Sequence, residues 1–504
     1  MKFSLLYKNI PEYSYEDQNP PFDIIYDLSI DKSVSRICRD TRKADYFLSV
    51  MRRMLTDVDD IVYRQNLLAD FIEYPELLGE LKVIFSRYDK IKSDWVELRS
   101  TSFPSASSSN SGALLEHTFS SLKLTSIFPR TIISFYENIG STIAKYDVKS
   151  EALVSMMSYC SEMTENNSLN EIANIASLFQ YKTAEDYDFG VLCQLDSTMR
   201  LVECELCDIK EHQKDKKPLI DWKALASKKN KDSALREVDA DKEAIDGVRF
   251  VLTEALYHID STLNHITNIV YETFHGLSFE LMFYEVALEI CEYLSENDIP
   301  LCVPDLLDME KDTIKASALR DFYLAAGGKK GSEIIPNDVS FEKDEGGVLI
   351  RGRNNTGKTT FLRSLGTAQL FAQAGLPVCA ENASFSVRSA VFTHFSSAEE
   401  DFIVGDTSGR FEGEVKEMAK MVDRLKPYSL ILLNETFQTT SYDEGACGIY
   451  NILSLFTKMK AKFIFVTHLL GLFDMCGDIP VRLMETVLNE EDGKRPYVIS
   501  DINK

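Results

Sequence analysis

Gly352-Arg-Asn-Asn-Thr-Gly-Lys-Thr359 has the residue types and the spacing to hold a polyphosphate. Its two glycines free the backbone to curl until several N–H groups point inward. Lys358 adds a point charge near the β and γ phosphates, and the Thr359 hydroxyl suits a magnesium ion. Two later stretches carry chemistry in a matching order. Ser429-Leu-Ile-Leu-Leu-Asn-Glu435 is an apolar run with a polar end. A phosphate-loop ATPase usually places Asp-Glu there, the Asp for the magnesium shell and the Glu for the attacking water. Here the first position is Asn434, an amide that accepts a hydrogen bond from metal-bound water but brings no negative charge. Mg²⁺ affinity should fall, while Glu435 remains as candidate general base. Lys462-Phe-Ile-Phe-Val-Thr-His468 ends in a histidine that, from a strand tip, reaches the γ-phosphate or the attacking water. The expected site has Gly352, Asn354, Asn355, Thr356, Gly357, Lys358, Thr359 and Thr360 on the nucleotide. Thr359 and Asn434 serve the metal, and Lys358, Glu435 and His468 serve catalysis. The ligands are ATP and Mg²⁺.

These residues need elements to carry them. Gly347-Val-Leu-Ile-Arg351 reads as a short buried strand before the loop. Thr360 to Phe371 has apolar residues at helical spacing, so a helix N-terminus adds its field to the site. From about 330 onward, short β-rich runs alternate with helical ones, the rhythm of a strand–helix nucleotide-binding domain. Asp406-Thr-Ser-Gly-Arg-Phe-Glu-Gly-Glu414 is Gly-rich and opens an amphipathic helix with Met418, Met421, Val422 and Leu425 on one side.

Upstream, residues 113–297 read as mostly helical, broken by a charged segment around 210–235. The clearest helix lies in 248–275. Its apolar residues Leu252, Leu256, Ile259, Leu263, Ile266, Val270 and Phe274 step by three and four, a seam of the coiled-coil kind. Leu277, Leu281, Tyr284 and Leu288 continue the seam past Gly276. Such a helix is either one member of a bundle or a rigid arm that carries motion between separated sites. Residues 1–98 read as a mix of short strand-like and helical pieces. The Ser-rich stretch Ser100–Gly112 reads as a loop.

At 504 residues the chain has length for two to four domains, and 44% hydrophobic with 27% charged residues is the composition of a soluble globular protein. No apolar run reaches membrane-spanning length, and the N-terminus lacks a cleavable signal pattern. A cytoplasmic protein with no membrane partner is expected. The net charge of −24 works against a broad nucleic-acid surface, so any DNA contact must come from local clusters such as His212–Lys217 and Lys228–Lys231. Ten cysteines are scattered, and only Cys204-Glu-Leu-Cys207 has ligand-like spacing. A structural zinc wants four ligands. With Leu201, Val202, Leu206 and Ile209 around them, these cysteines read instead as part of a helix core stripe.

Taken in order, the C-terminal motifs resemble the MutS family of DNA mismatch-repair ATPases, a branch of the ABC-type ATPases. Ile335-Pro-Asn-Asp-Val339 is similar to the segment that packs near the adenine. Gly352-x-Asn354-x-x-Gly357-Lys358-Thr359 keeps the family's loop asparagine. Asn434-Glu435 with Thr439, Asp443 and Gly445 looks like its Walker B strand and following loop, and Phe465-Val-Thr-His468 looks like its Thr-His switch. The likeness is specific over roughly 330–504. Phe22–Leu28 and Tyr63–Asp70 look like the core region of short MutS-related proteins, and the seam helix lies where the family has its lever. The fold class this implies is an α/β ABC-type P-loop ATPase domain at the C-terminus, preceded by a mainly α-helical core and lever region. The implied organisation is an N-terminal core subdomain over 1–98, a helical core and lever over 99–330, and the ATPase domain over 331–504.

The resemblance also implies a mechanism. Two ATPase domains face each other, each nucleotide lying between one phosphate loop and the other protomer's signature segment. ATP closes the pair, hydrolysis opens it, and lever helices pass the motion to a clamp on DNA. Gly409 to Glu414 would occupy the signature position and Asp443 the subunit contact. The sequence departs from the family at several points. No Phe-x-Glu mismatch-reading element precedes the core, and the chain starts too near the core for mismatch-binding and connector domains. Gly409-Arg410-Phe411 stands where Ser-Thr-Phe is usual, and Asn434 replaces Asp, which together imply slow hydrolysis or binding without turnover. The family's C-terminal dimerising helices do not fit in what remains, so an ATP-dependent homodimer would form through the ATPase faces. A DNA clamp without a mismatch reader is one expectation. The other is a nucleotide-switched protein-interaction module that turns over little or no ATP and never binds DNA.

Overall fold

The computed structural model describes residues 3–9, 24–102, 111–180, 187–195, 201–211, 242–395, 410–437, 442–487 and 497–502. The chain divides into two compact units. One comprises Glu76–Val148 and Leu153–Ser278; the other comprises Lys2–Pro75, Lys149–Ala152 and Phe279–Lys504.

The first unit is built on helices, among them Ser111–Thr125, Phe128–Ile143, Glu151–Glu165 and Asn167–Ser177. The seam expected over 248–288 belongs to one helix, Lys242–Glu296, which runs unbroken through Gly276. At the usual rise its 55 residues span about 80 Å. Its residues Leu252, Leu256 and Leu263 are buried against Leu115, Phe119, Leu122, Ala176 and Phe179. Further along, Phe274 packs edge-on to Phe135, with ring centroids 4.5 Å apart.

Three expectations change here. Within 113–297 the described chain also contains a hairpin, β1 (Tyr187–Leu195) and β2 (Leu201–Glu211), paired antiparallel. The run around Cys204 and Cys207 is thus a strand, not a helix stripe. Val202, Cys204 and Leu206 alternate with Glu203 and Glu205, a period of two that favours a strand. The Ser-rich stretch is helical at both ends, because one helix, Pro75–Ser102, runs into it and the next begins at Ser111. Residues 103–110 and both basic clusters lie outside the described residues. The strand-like pieces expected in 1–98 are absent among the described residues, which form helices at 24–27, 30–37, 41–52, 58–73 and 75–102.

Among the described residues the second unit holds two sheets. The smaller has four strands in the order β3 (Asp305–Leu307), β7 (Asn382–Ser386), β4 (Ile314–Leu319), β5 (Asn337–Phe341). The larger has six, in the order β12 (Ile499–Asp501), β11 (Val481–Thr486), β6 (Gly347–Arg351), β10 (Lys462–Val466), β9 (Leu430–Asn434), β8 (Val391–Phe395). All its neighbours are parallel except the edge strand β12. β9 is apolar and buried up to Asn434, and β10 is buried throughout and apolar after Lys462, as a parallel strand covered on both faces must be. Helix Tyr442–Lys458 places Ile449, Leu453 and Phe456 against them. Helix Lys358–Gln373 is almost wholly buried too. At Gly366 a Cβ would come within 2.5 Å of Leu432 Cδ1 and 2.8 Å of Leu28 Cδ2, so any side chain there would have to push these buried leucines aside. Leu28 comes from the N-terminal residues, which are part of this unit. Asp27 accepts a hydrogen bond from the Thr393 hydroxyl on β8 at 2.6 Å.

Candidate nucleotide-binding site

The three motif-bearing strands lie side by side, and their tips are level. Across the sheet, Val466 of β10 pairs with Ile350 of β6 on one side and with Asn434 of β9 on the other. The loop after β6, the polar end of β9 and Thr467-His468 after β10 therefore emerge at one edge, the carboxyl ends of parallel strands. Open α/β sheets bind ligands at that edge.

Between β6 and its helix the chain folds on itself. The buried Thr356 donates its hydroxyl proton to Arg353 O at 2.7 Å. Asn355 and Gly357 on either side take positive φ, 59° and 93°. Gly357 caps helix Lys358–Gln373 in a left-handed conformation that a side chain resists. Helix N–H groups of the first turn have no carbonyl partner within the helix, which is where an anion binds. Lys358 is 4% exposed, and its ammonium donates to Gly352 O and Arg353 O at 3.0 Å each. Burial pushes its pKa down, and the Glu435 charge pulls it back up. Asn354 and Thr359 are exposed, and Thr360 is half-buried.

The Thr359 hydroxyl donates to Asn434 Oδ1 at 3.1 Å, so the two expected metal-shell oxygens meet across the gap between loop and β9. This donor set is neutral. It fits a magnesium ion that arrives on phosphate oxygens and keeps most of its waters. Among the described residues no group of three or more His, Cys, Asp or Glu could hold a metal without such help. Glu435 follows directly, with its N–H donating to Val466 O at 2.9 Å. Its carboxylate Oε1 lies 3.1 Å from His468 Nε2. Both side chains are about one-third exposed, so the pair faces the open edge.

Ile335 is 42% exposed and precedes β5. Asn337 binds Tyr497 O through its amide at 3.2 Å and accepts from Ile499 N at 2.9 Å. Tyr497 in turn lies against Gly357. The segment after Ile335 is thus tied to the neighbourhood of the loop. Gly409 and Thr439 lie outside the described residues, while Arg410 and Asp443 are described only as backbone of the helices they stand in.

Comparison with known proteins gives two domain matches that together span most of the chain. Residues 348–495 match MutS domain V and residues 56–297 match the MutS2 N-terminal domain. The chain belongs to the MutS family. A MutS DNA mismatch repair protein of Thermotoga petrophila is 26% identical over 53% of this chain and 35% of its own length. The MutS DNA mismatch repair protein of Streptococcus equi subsp. equi is 36% identical over 27% of this chain and 16% of its own. Human MutS protein homolog 4 is 31% identical over 27% of this chain and 14% of its own. The chain thus spans about a third or less of the curated relatives it matches. The MutS domain V match contains the phosphate loop, Asn434, Glu435 and His468. The MutS2 N-terminal match contains the long helix.

Sequence reasoning missed His394, and it placed Glu414 only as the end of the candidate signature segment. His394 of β8 and Glu414 of helix Arg410–Asp423 both bond to the turn just after Glu435. An isolated histidine in an apolar run and a glutamate in a charged helix give no local sign of this.

Proposed function

We propose that this MutS-related chain is an ABC-type ATPase that couples ATP binding and hydrolysis to closing of a helical clamp on DNA. The observation that carries the reading is the convergence of Lys358, Thr359, Asn434, Glu435 and His468 at the carboxyl ends of three adjacent parallel strands. Loop N–H groups and Lys358 would bind the β and γ phosphates, Lys358 giving up its bonds to Gly352 O and Arg353 O for phosphate oxygens. Thr359 and Asn434 would hold water on the Mg²⁺ that enters with ATP, and the metal would neutralise phosphate charge. Glu435 takes the proton of the attacking water. His468, paired with that carboxylate, orients it and the water. Asn434 makes turnover slow, because it brings no charge to the metal. Ile335 would lie near the adenine. The expected assembly is an ATP-dependent homodimer through the ATPase faces, with helix Lys242–Glu296 as the lever. Family membership supports the DNA reading. A second reading, a nucleotide-switched protein-interaction module without DNA, is favoured by the net charge of −24.

Equilibrium dialysis with ATP and ADP tests the site. The parent protein should bind both, and Lys358→Ala should weaken ATP at least about tenfold, the loss of one charge-assisted phosphate contact. Equal affinity in the variant, or none in the parent, would remove the basis of the reading.

A further inference from the structure

The backbone that carries Glu435 is held by strand β8 and by the helix that opens in the candidate signature segment. Glu435 and Phe437 have φ of 57° and 60°, and neither is glycine. Left-handed backbone at such residues persists only where surrounding contacts over-determine it. Helix Arg410–Asp423 and strand β8 supply those contacts. Glu414 Oε2 accepts the Phe437 N–H at 2.7 Å. The fully buried Thr436 hydroxyl lies 2.9 Å from His394 Nδ1. The other nitrogen of that imidazole, Nε2, lies 3.2 Å from Glu417 Oε2. Glu414 and Glu417 are three residues apart on the helix, and thus on one face. The pull of His394 holds the Glu417 carboxyl below its ordinary pKa. Glu414 is 8% exposed and His394 6%. A carboxylate and an imidazole at that depth cost desolvation that an apolar pair would avoid, unless they hold something that needs holding.

We infer that helix Arg410–Asp423 is a brace for the general base. Glu414 and His394 are positioning residues that set where the Glu435 carboxylate points by locking the two residues after it. This rests on the proposed role of Glu435. Without the Glu414 carboxylate, the Phe437 N–H loses its acceptor and the turn relaxes toward right-handed backbone. The Glu435 carboxylate then drifts from His468. The phosphate loop does not depend on these contacts, so nucleotide affinity stays while the chemical step slows.

The test measures single-turnover ATP hydrolysis and ATP affinity on the full chain. The variants are Glu414→Ala, Glu414→Gln, His394→Gln and Glu435→Gln. Glu414→Ala should slow hydrolysis at least about tenfold with ATP affinity within about twofold of the parent. Glu414→Gln, which keeps an oxygen acceptor, should recover most of the rate. Should Glu414→Ala not fold, Glu414→Gln and His394→Gln decide by the same comparison of rate with affinity. A rate equal to the parent, or a parallel loss of rate and affinity, overturns the brace. Glu435→Gln separates the two ideas. If it abolishes hydrolysis while the Glu414 and His394 variants stay fast, only the brace fails. If it hydrolyses as fast as the parent, the base assignment fails and the brace with it.

Discussion

Asn434 is the residue on which the proposed turnover depends most. Its amide oxygen already receives the Thr359 hydroxyl, so its position suits a metal shell. What it lacks is charge. An aspartate there would accept the same bond and add a charge-assisted contact, about twice as strong as a neutral one. Asn434→Asp should therefore raise the Mg²⁺-dependent ATPase rate on the order of tenfold. It should also lower the magnesium concentration needed for half the maximal rate. A magnesium titration of steady-state hydrolysis checks both. Unchanged curves would mean that this position does not serve the metal.

At the scale of elements, the long helix does more than present a seam. Near its C-terminal end it grips the N-terminal residues, within the same unit. Glu280 accepts from the Ser4 hydroxyl at 2.8 Å and from Leu5 N, and Tyr284 donates to Leu5 O at 2.6 Å. From helix Val58–Glu73, Tyr63 donates to Ser4 O and the buried Arg64 to Leu6 O. Burial pushes the Glu280 carboxyl up to about 6, against an ordinary 4.5. Its proton is retained in the folded state over a window where the unfolded chain has already lost it. The stability this group contributes is thus fully present below about pH 4.5 and lost as pH rises through about 6. Glu280→Gln cannot titrate. Urea melts at a series of pH values should show the stability of the parent falling relative to the variant across that window and not above it. A constant difference from pH 4 to 7 would show that the carboxyl is not perturbed.

For the whole molecule the two readings differ in the partner. A clamp on DNA neutralises phosphates and releases counterions, so its affinity falls steeply with salt. Gel shifts with duplex, mismatched and branched DNA, each over a salt series with ATP, should give a complex whose log affinity declines with log salt. A slope near zero and no discrete complex would leave the protein-interaction reading standing. The acidic total charge makes this a demanding test, because attraction must come from local basic surface against a repelling background.

Some of this protein was legible without its fold. The phosphate loop, the polar ends of two apolar strands and the seam of the long helix are local patterns. Loop curling, strand burial and helical periodicity depend on residues a few positions apart, so spacing alone carried them. Short apolar and polar alternation is weaker evidence, which is why the strand at Leu201–Glu211 reads as a helix stripe until its partner Tyr187–Leu195 is seen beside it. Only the tertiary structure decided what sheet register and packing bring together. It levelled Ile350, Val466 and Asn434 in one row and joined Thr359 to Asn434 and Glu435 to His468. It packed Leu28 against Gly366, and it set Glu414 and His394 behind the turn that follows Glu435. Such contacts join residues far apart in the chain, and no local spacing encodes them.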